Sequence, residues 1–284
     1  MSALFLLPGL LLVLAMGVAP LATMALVSVW SVDEMVLVPD LSGRAWLEAA
    51  GSATILGLLG RALLYGGTTV LLCALLGYPI ALAMRRLPPL LKGAATVVLL
   101  TPLYVGEIVR IYAWRILLGV NGPVNWMLVE SGLLDEPTRL LLFTPVSTVL
   151  ALVYNNLPFM TLAIWIAAER VDARLVEAAR DLGSRPLVAF RRVTLPLTSP
   201  GLVAGGLATL ALAAGDQLTP ALLGGTSAAT AMSMIDSLFG VAFDWPLAAA
   251  TAWLLLLLLL AVALLALFLA ARLPATRIVL GGGR

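Results

Sequence analysis

"EAARDLGSRPLVAFRRVTLPLTSPG", residues 177–201, is the stretch on which the reading of this chain turns. It carries Glu177, Arg180, Asp181, Arg185, Arg191 and Arg192 in a chain of 284 residues that is 62% hydrophobic and only 11% charged. Soluble domains hold about 25% charged residues. Elsewhere the apolar residues come in blocks of about twenty or more, the length that a helix needs to cross a bilayer. The fold class that follows is an all-α, polytopic membrane protein. A charged, helix-like segment between two apolar runs then needs its own explanation.

Absences narrow the chemistry. There is no histidine, which removes imidazole triads, proton shuttles and imidazole metal sites. Cys73 stands alone, so no internal disulfide, CxxC pair or cysteine-held cluster can form. Lys92, the one lysine, follows "PPLL", and no GxxxxGK phosphate loop exists. Any ATP, with its magnesium, must be bound by another chain, so no cofactor is expected in this one. No paired carboxylates or GxSxG support a membrane-embedded enzyme, and neither catalytic nor metal-binding residues are expected. The net charge of +2 is too small to argue for nucleic acid.

Six spans are predicted, at about 3–30, 62–84, 94–118, 141–167, 199–222 and 247–271. The first lacks a basic leader and is longer than a signal-peptide core, so it reads as a retained helix. No Gly/Ser-rich linker divides the chain, and residues 1–284 read as one transmembrane domain. With the N-terminus inside, cytoplasmic segments hold Arg85, Arg86, Lys92, Arg170, Arg174, Arg180, Arg185, Arg191, Arg192, Arg272, Arg277 and Arg284. The external side holds only Arg44, Arg61 and Arg139, while Arg110 and Arg115 lie within the third span. Basic residues favour the cytoplasmic side, which puts both termini and the opening stretch there.

Within the loop at about 168–198, Val171, Leu175, Ala178, Ala179 and Leu182 recur at helical spacing. Gly183 is placed to end that helix in a left-handed turn. Ser184 is expected to cap a second short helix with Pro186 in its first turn. Leu195-Pro196 and Pro200 are expected to break the chain before the fifth span. The product is an elbow of two short helices, which on pattern alone is either a solvated loop or a docking surface.

"EAARDLG" followed by "VTLP" resembles the EAA loop of binding-protein-dependent ABC importer permeases: EAA, three residues, Gly, nine residues, then Ile-x-Leu-Pro. The match falls on Glu177, Ala178, Ala179, Gly183, Leu195 and Pro196, with Val193 in place of the isoleucine. Six spans with this loop between the fourth and fifth fit the type I importer arrangement. The resemblance implies an elbow seated in a cleft of a cytoplasmic ATPase dimer, which drives the helices between inward- and outward-facing states. It also implies a periplasmic solute-binding protein, a second homologous permease or a second copy of this chain, and a bacterial inner-membrane location.

"PLYVGEIVRIYAWRILLG" (102–119), "NNLPFMTLAIW" (155–165), "GDQLTPALLGG" (215–225) and "DWPLAAATAW" (244–253) resemble the spermidine/putrescine permease group. A small amino-containing cation is the implied cargo. Opine, phosphonate, sugar or oxyanion permeases are the nearer alternatives, and an ion-driven secondary transporter is the distant one.

Ionisable groups inside spans are costly and usually face a cavity or a partner. At about 1.5 Å per residue, Glu107 sits about 20 Å and Asp216 about 26 Å along their helices, both in the outer half. Glu107 either pairs with Arg110, three residues on, or faces the substrate path. Asp216, with Gln217 beside it, lies at an expected helix break between Gly215 and Pro220; it faces the path or makes an interhelical hydrogen bond. Tyr154, Asn155 and Asn156 are expected to interrupt the fourth span before Pro158, lining a polar path or satisfying backbone groups freed by the proline. Trp30, Trp126 and Trp245 fit the outer aromatic belt. The run from Trp253 to Ala271 has no polar group apart from the indole nitrogen of Trp253 and is expected to face lipid.

Overall fold

The computed structural model describes residues 2–272; Arg277 and Arg284, counted above as cytoplasmic, lie outside them. In chain order the elements are α1 (Ser2–Val27), β1 (Ser31–Asp33), β2 (Val36–Val38), α2 (Arg44–Gly51), α3 (Ala53–Arg86), α4 (Pro89–Tyr104), α5 (Glu107–Leu118) and α6 (Pro123–Glu130). They continue with α7 (Pro145–Glu169), α8 (Ala173–Asp181), α9 (Pro186–Ala189), α10 (Leu195–Ala214), α11 (Leu218–Leu223), α12 (Ala231–Gly240) and α13 (Trp245–Arg272). By mutual contact the described residues fall into two units, 2–61 with 230–258, and 62–229 with 259–272.

In the first unit, β1 and β2 form an antiparallel hairpin with Ser31 opposite Val38 and Asp33 opposite Val36. Its two-residue turn holds Glu34 and Met35 at φ 46° and 63°, the primed geometry that matches strand twist, here without the usual glycine. Trp46 of α2 donates through Nε1 to Ser28 Oγ at 3.1 Å. Asp244 caps α13 by accepting from the Leu247 amide at 3.1 Å.

The second unit is built on α7 and α10. α7 starts at a capping box in which Thr144 and Ser147 satisfy one another's backbone amides, with Pro145 in the first turn. Small residues bring α10 against it: a Cβ added at Gly201 would stand 2.4 Å from the Ala163 carbonyl, and one at Gly205 3.0 Å from the Ala163 side chain. Between helices in lipid, such close approach replaces the hydrophobic drive available in water. Cys73, Tyr78 and Ala81 of α3 complete the core with Val153, Met160 and Ile164 of α7, and Phe190, Leu195 and Leu202 pack on it. A smaller cluster of Ile111, Ala151 and Leu223 joins α5, α7 and α11.

Among the described residues, α3, α7, α13 and the continuous helix Pro186–Ala214 are each long and apolar enough to cross a bilayer. α1 contributes a shorter apolar stretch, Leu14–Val27. The expected third span is not one straight helix, because α4 and the α5–α6 segment meet at 98°. Val105 and Gly106 are extended at ψ 129° and 141°, and Pro102 has already removed an amide from the last turn of α4. Counting that bent pair as one span gives five, against six expected. The most apolar window of α13 is almost wholly unburied, as expected of a face turned to lipid.

Candidate functional sites

The elbow forms as two short helices. Asp172 caps α8 by accepting from the Arg174 amide at 2.9 Å. Gly183 has φ +81°, and around it the Ser184 amide reaches the Ala179 carbonyl at 3.0 Å while the Gly183 amide reaches Arg180 at 2.8 Å. Those two bonds are the Schellman stop, which glycine enters without strain. None of the nine residues of α8 is buried. Leu175, Leu182 and Leu187 are 49%, 87% and 67% exposed, and Glu177 and Ala178 are exposed beside a half-buried Ala179.

Two local expectations are corrected. Ser184 caps nothing; the residue before α9 is Arg185, whose side chain makes no cap, and Pro186 opens the helix unaided. Nor do the prolines break the chain. Residues Phe190–Thr194 form a π-turn in which the Leu195 amide bonds the Phe190 carbonyl, widening the helix where the Pro196 ring must fit. Pro200 leaves the Pro196 carbonyl without its amide partner, and the Ser199 hydroxyl donates to it instead at 2.8 Å. The second arm of the elbow therefore runs on into the expected fifth span, and Leu195 and Pro196 lie half-buried along it.

The elbow's base carries contacts that the sequence did not reveal. Arg85, ending α3, donates to the Val171 carbonyl. Lys92 of α4 pairs with Glu169, the last residue of α7, at 2.8 Å, and Trp165 Nε1 donates to the same carboxylate oxygen at 2.9 Å. Only the i, i+4 spacing of Trp165 and Glu169 was a local signal. A cavity of about 430 Å³ opens between the end of α3 and the elbow, lined by Arg85, Arg86, Glu177, Arg180 and Phe190 among others.

A second polar group lies where α5 meets α11. The expected break after Gly215 is present, and Asp216 occupies it. Its two oxygens accept from the Thr219 amide at 2.9 Å and the Thr219 hydroxyl at 2.7 Å, so the carboxylate caps α11. Gln217 follows it, half-buried. Glu107 is exposed at the start of α5 and forms no ion pair with Arg110, which instead donates to the Pro102 carbonyl at the frayed end of α4. The charges of Glu107, Arg110 and Asp216 act on one another through space.

Tyr154, Asn155 and Asn156 lie within α7, which continues through Pro158. Tyr154 meets Trp114 of α5 edge-on at 5.7 Å. Asn156 donates to the Leu152 carbonyl at 2.8 Å, and the Asn155 carbonyl oxygen is buried with no hydrogen-bond partner. The structure thus sets Glu107 at the start of α5 and Asp216 just before α11, two helices that touch, and leans Tyr154 on α5, while the Asn155 carbonyl oxygen bonds to none of them.

Residues 73–275 match the family described as binding-protein-dependent transport system inner membrane component. The spermidine/putrescine transport system permease protein PotB of Haemophilus influenzae is 39% identical over 184 residues, covering 65% of this chain and 64% of that protein. Its Escherichia coli counterpart is 37% identical over 181 residues, 64% of this chain and 66% of the relative. The chain thus spans a little less than two thirds of the length of these curated relatives. A chain in the crystal structure of a bacterial ABC transporter involved in the import of the acidic polysaccharide alginate superposes with a TM-score of 0.73. It is 17% identical, with 96% of both chains covered. Likeness at that identity speaks for the fold alone, and the fold is the expected type I importer permease. Because the family match takes in the whole elbow and well over half of the chain, this protein belongs to the binding-protein-dependent transport system inner membrane components.

Proposed function

We propose that the chain is a permease subunit of an ATP-driven importer that passes a small amino-containing cation, spermidine or putrescine, from a periplasmic binding protein into the cytoplasm. The carrying observation is α8: an amphipathic helix with none of its residues buried, fixed in angle by its Schellman stop. A helix so exposed, with leucines at both ends of its elbow, is built to be covered by another protein. The partner is a cytoplasmic ATPase dimer, which binds the ATP and magnesium and performs the hydrolysis; this chain is not itself an enzyme. Glu177, Ala178, Ala179, Gly183, Leu195 and Pro196 form the coupling element within one transmembrane domain. Because Pro186–Ala214 is continuous, a push on the elbow moves α10 as a lever, and the tight α7–α10 contact carries the motion on. Asp216, Glu107, Gln217, Tyr154 and Asn155 are assigned to the substrate path. A second homologous permease, or a second copy of this chain, completes the pore in the bacterial inner membrane, with both termini cytoplasmic.

The test is reconstitution with the ATPase and the binding protein in vesicles. Radiolabelled spermidine should accumulate only with ATP, and spermidine-loaded binding protein should stimulate hydrolysis. Uptake that survives without ATP but collapses with an ionophore would instead indicate an ion-driven transporter.

A further inference from the structure

The elbow hangs from α7 by a short joint, Arg170–Asp172, and the α3–α4 turn grips both sides of it. Arg85 holds the Val171 carbonyl, and Lys92 holds Glu169 at 2.8 Å. Trp165 shares that carboxylate and lies with its ring 5.7 Å from the Lys92 ammonium. Lys92 and Glu169 each sit at the wrong end of their own helix. A cation near the start of α4 and an anion at the end of α7 both oppose the helix dipole, and they compensate one another with Trp165 against both. At 29% and 43% side-chain exposure the pair adds little to stability. Two misplaced charges that stabilise little are better explained by the geometry they impose. From Lys92, α4 runs to the break at Val105–Gly106, immediately before Glu107.

We infer that Lys92, Glu169 and Trp165 form a positioning clamp that gives the elbow a second output, so that movement of α8 reaches α4 and the Glu107 break as well as α10. The inference rests on the elbow being the ATPase contact. It is tested on the whole transporter with Lys92→Met, Glu169→Gln, and the exchanged pair Lys92→Glu with Glu169→Lys. Coupling between sites corresponds to about 5–150-fold. An exposed pair belongs at the low end, so spermidine imported per ATP hydrolysed should fall about five-fold in each single variant. Assembly and basal hydrolysis should stay at wild-type levels. The exchanged pair, whose charges suit the dipoles but whose lysine cannot accept from Trp165, should restore part of the coupling. A purely structural role would lower assembly and melting temperature together and leave uptake per ATP unchanged. Unchanged uptake per ATP in both single variants overturns the clamp, as does an exchange that restores none of the coupling. Gly183→Val, measured alongside, separates the two ideas. If it abolishes stimulated hydrolysis while the single variants stay coupled, only the clamp fails; if it also leaves stimulation intact, the coupling role of the elbow fails.

Discussion

Asp216 holds the start of α11 through both carboxylate oxygens, so charge and cap must be separated before any variant is read as a transport defect. Asparagine caps about as well as aspartate, whereas alanine loses the cap at about 1 kcal/mol. Asp216→Asn therefore removes the charge and keeps the amide cap, with the Thr219 hydroxyl turned to accept from the new side-chain N–H. If that carboxylate offsets the lost hydration of a passing ammonium, a contact of about 1.5–3 kcal/mol disappears and uptake at sub-saturating spermidine falls about ten- to hundred-fold. Uptake within about two-fold of wild type in Asp216→Asn, with a defect in Asp216→Ala, would make the residue a cap only. Gly183 poses the reverse problem, since no atom lies within 4 Å of where its Cβ would be. Within this chain, any effect of substitution there acts through the backbone. At φ +81° a β-branched residue stores about 1–3 kcal/mol of strain, while asparagine tolerates the left-handed region. Gly183→Val should lose substrate-stimulated hydrolysis with normal membrane insertion, and Gly183→Asn should retain most of it. Equal behaviour of the two would remove the turn from the mechanism.

At the scale of elements, what the sequence revealed depended on how local the cause was. α8 was legible because its apolar spacing and its Gly183 stop lie within about a dozen residues, whereas its cap, Asp172, came only with the structure. Pro196 and Pro200 were misread as breaks because a π-turn and one serine hydroxyl absorb both, and neither has a strong signature. The opposite error occurred in the third span, where Pro102, Gly106 and Glu107 mark the extended Val105–Gly106 joint within a stretch otherwise apolar enough to read as one helix. The contact between α7 and α10 gives a graded test of packing. A Cβ at Gly201 would meet the Ala163 carbonyl at 2.4 Å, one at Gly205 the Ala163 side chain at 3.0 Å, and one at Gly206 nothing nearer than the Val70 side chain at 3.6 Å. Gly201→Ala forces backbone apart and should destabilise by about 1–3 kcal/mol. Gly205→Ala should cost less, and Gly206→Ala should be neutral or stabilising by up to about 1 kcal/mol of helix propensity. Melting temperatures of the three variants in detergent should follow that order. If Gly201→Ala melted no lower than Gly206→Ala, the close approach would not be what holds the pair.

For the whole molecule, the class was legible from composition and the shape of the elbow from one loop, because bilayer thickness and helix stops are read locally. The hairpin, α2, α6 and α12 were not, being too short to leave a periodic trace. The Lys92–Glu169 pair was hidden for a different reason: 77 residues separate partners that only the tertiary fold brings together. That pair bears on sidedness. Arg85 on Val171 and Lys92 on Glu169 put the end of α3, the start of α4 and the end of α7 on one face of the second unit, together with the elbow. These ends carry Arg85, Arg86, Lys92, Arg170 and Arg174, and in the proposed orientation the basic-residue bias would put that face in the cytoplasm. Reporters inserted near Arg185 and fused after Arg284 should therefore report cytoplasm, and one near Glu130, beyond α5, the periplasm. Each short loop here is dominated by its own charges, so one reversed reporter could reflect a disturbed insertion; removing Arg85 and Arg86 from the same fusions checks for that. An external signal at Arg185 with those arginines intact would put the elbow out of reach of any ATPase, and the coupling mechanism would fall with it.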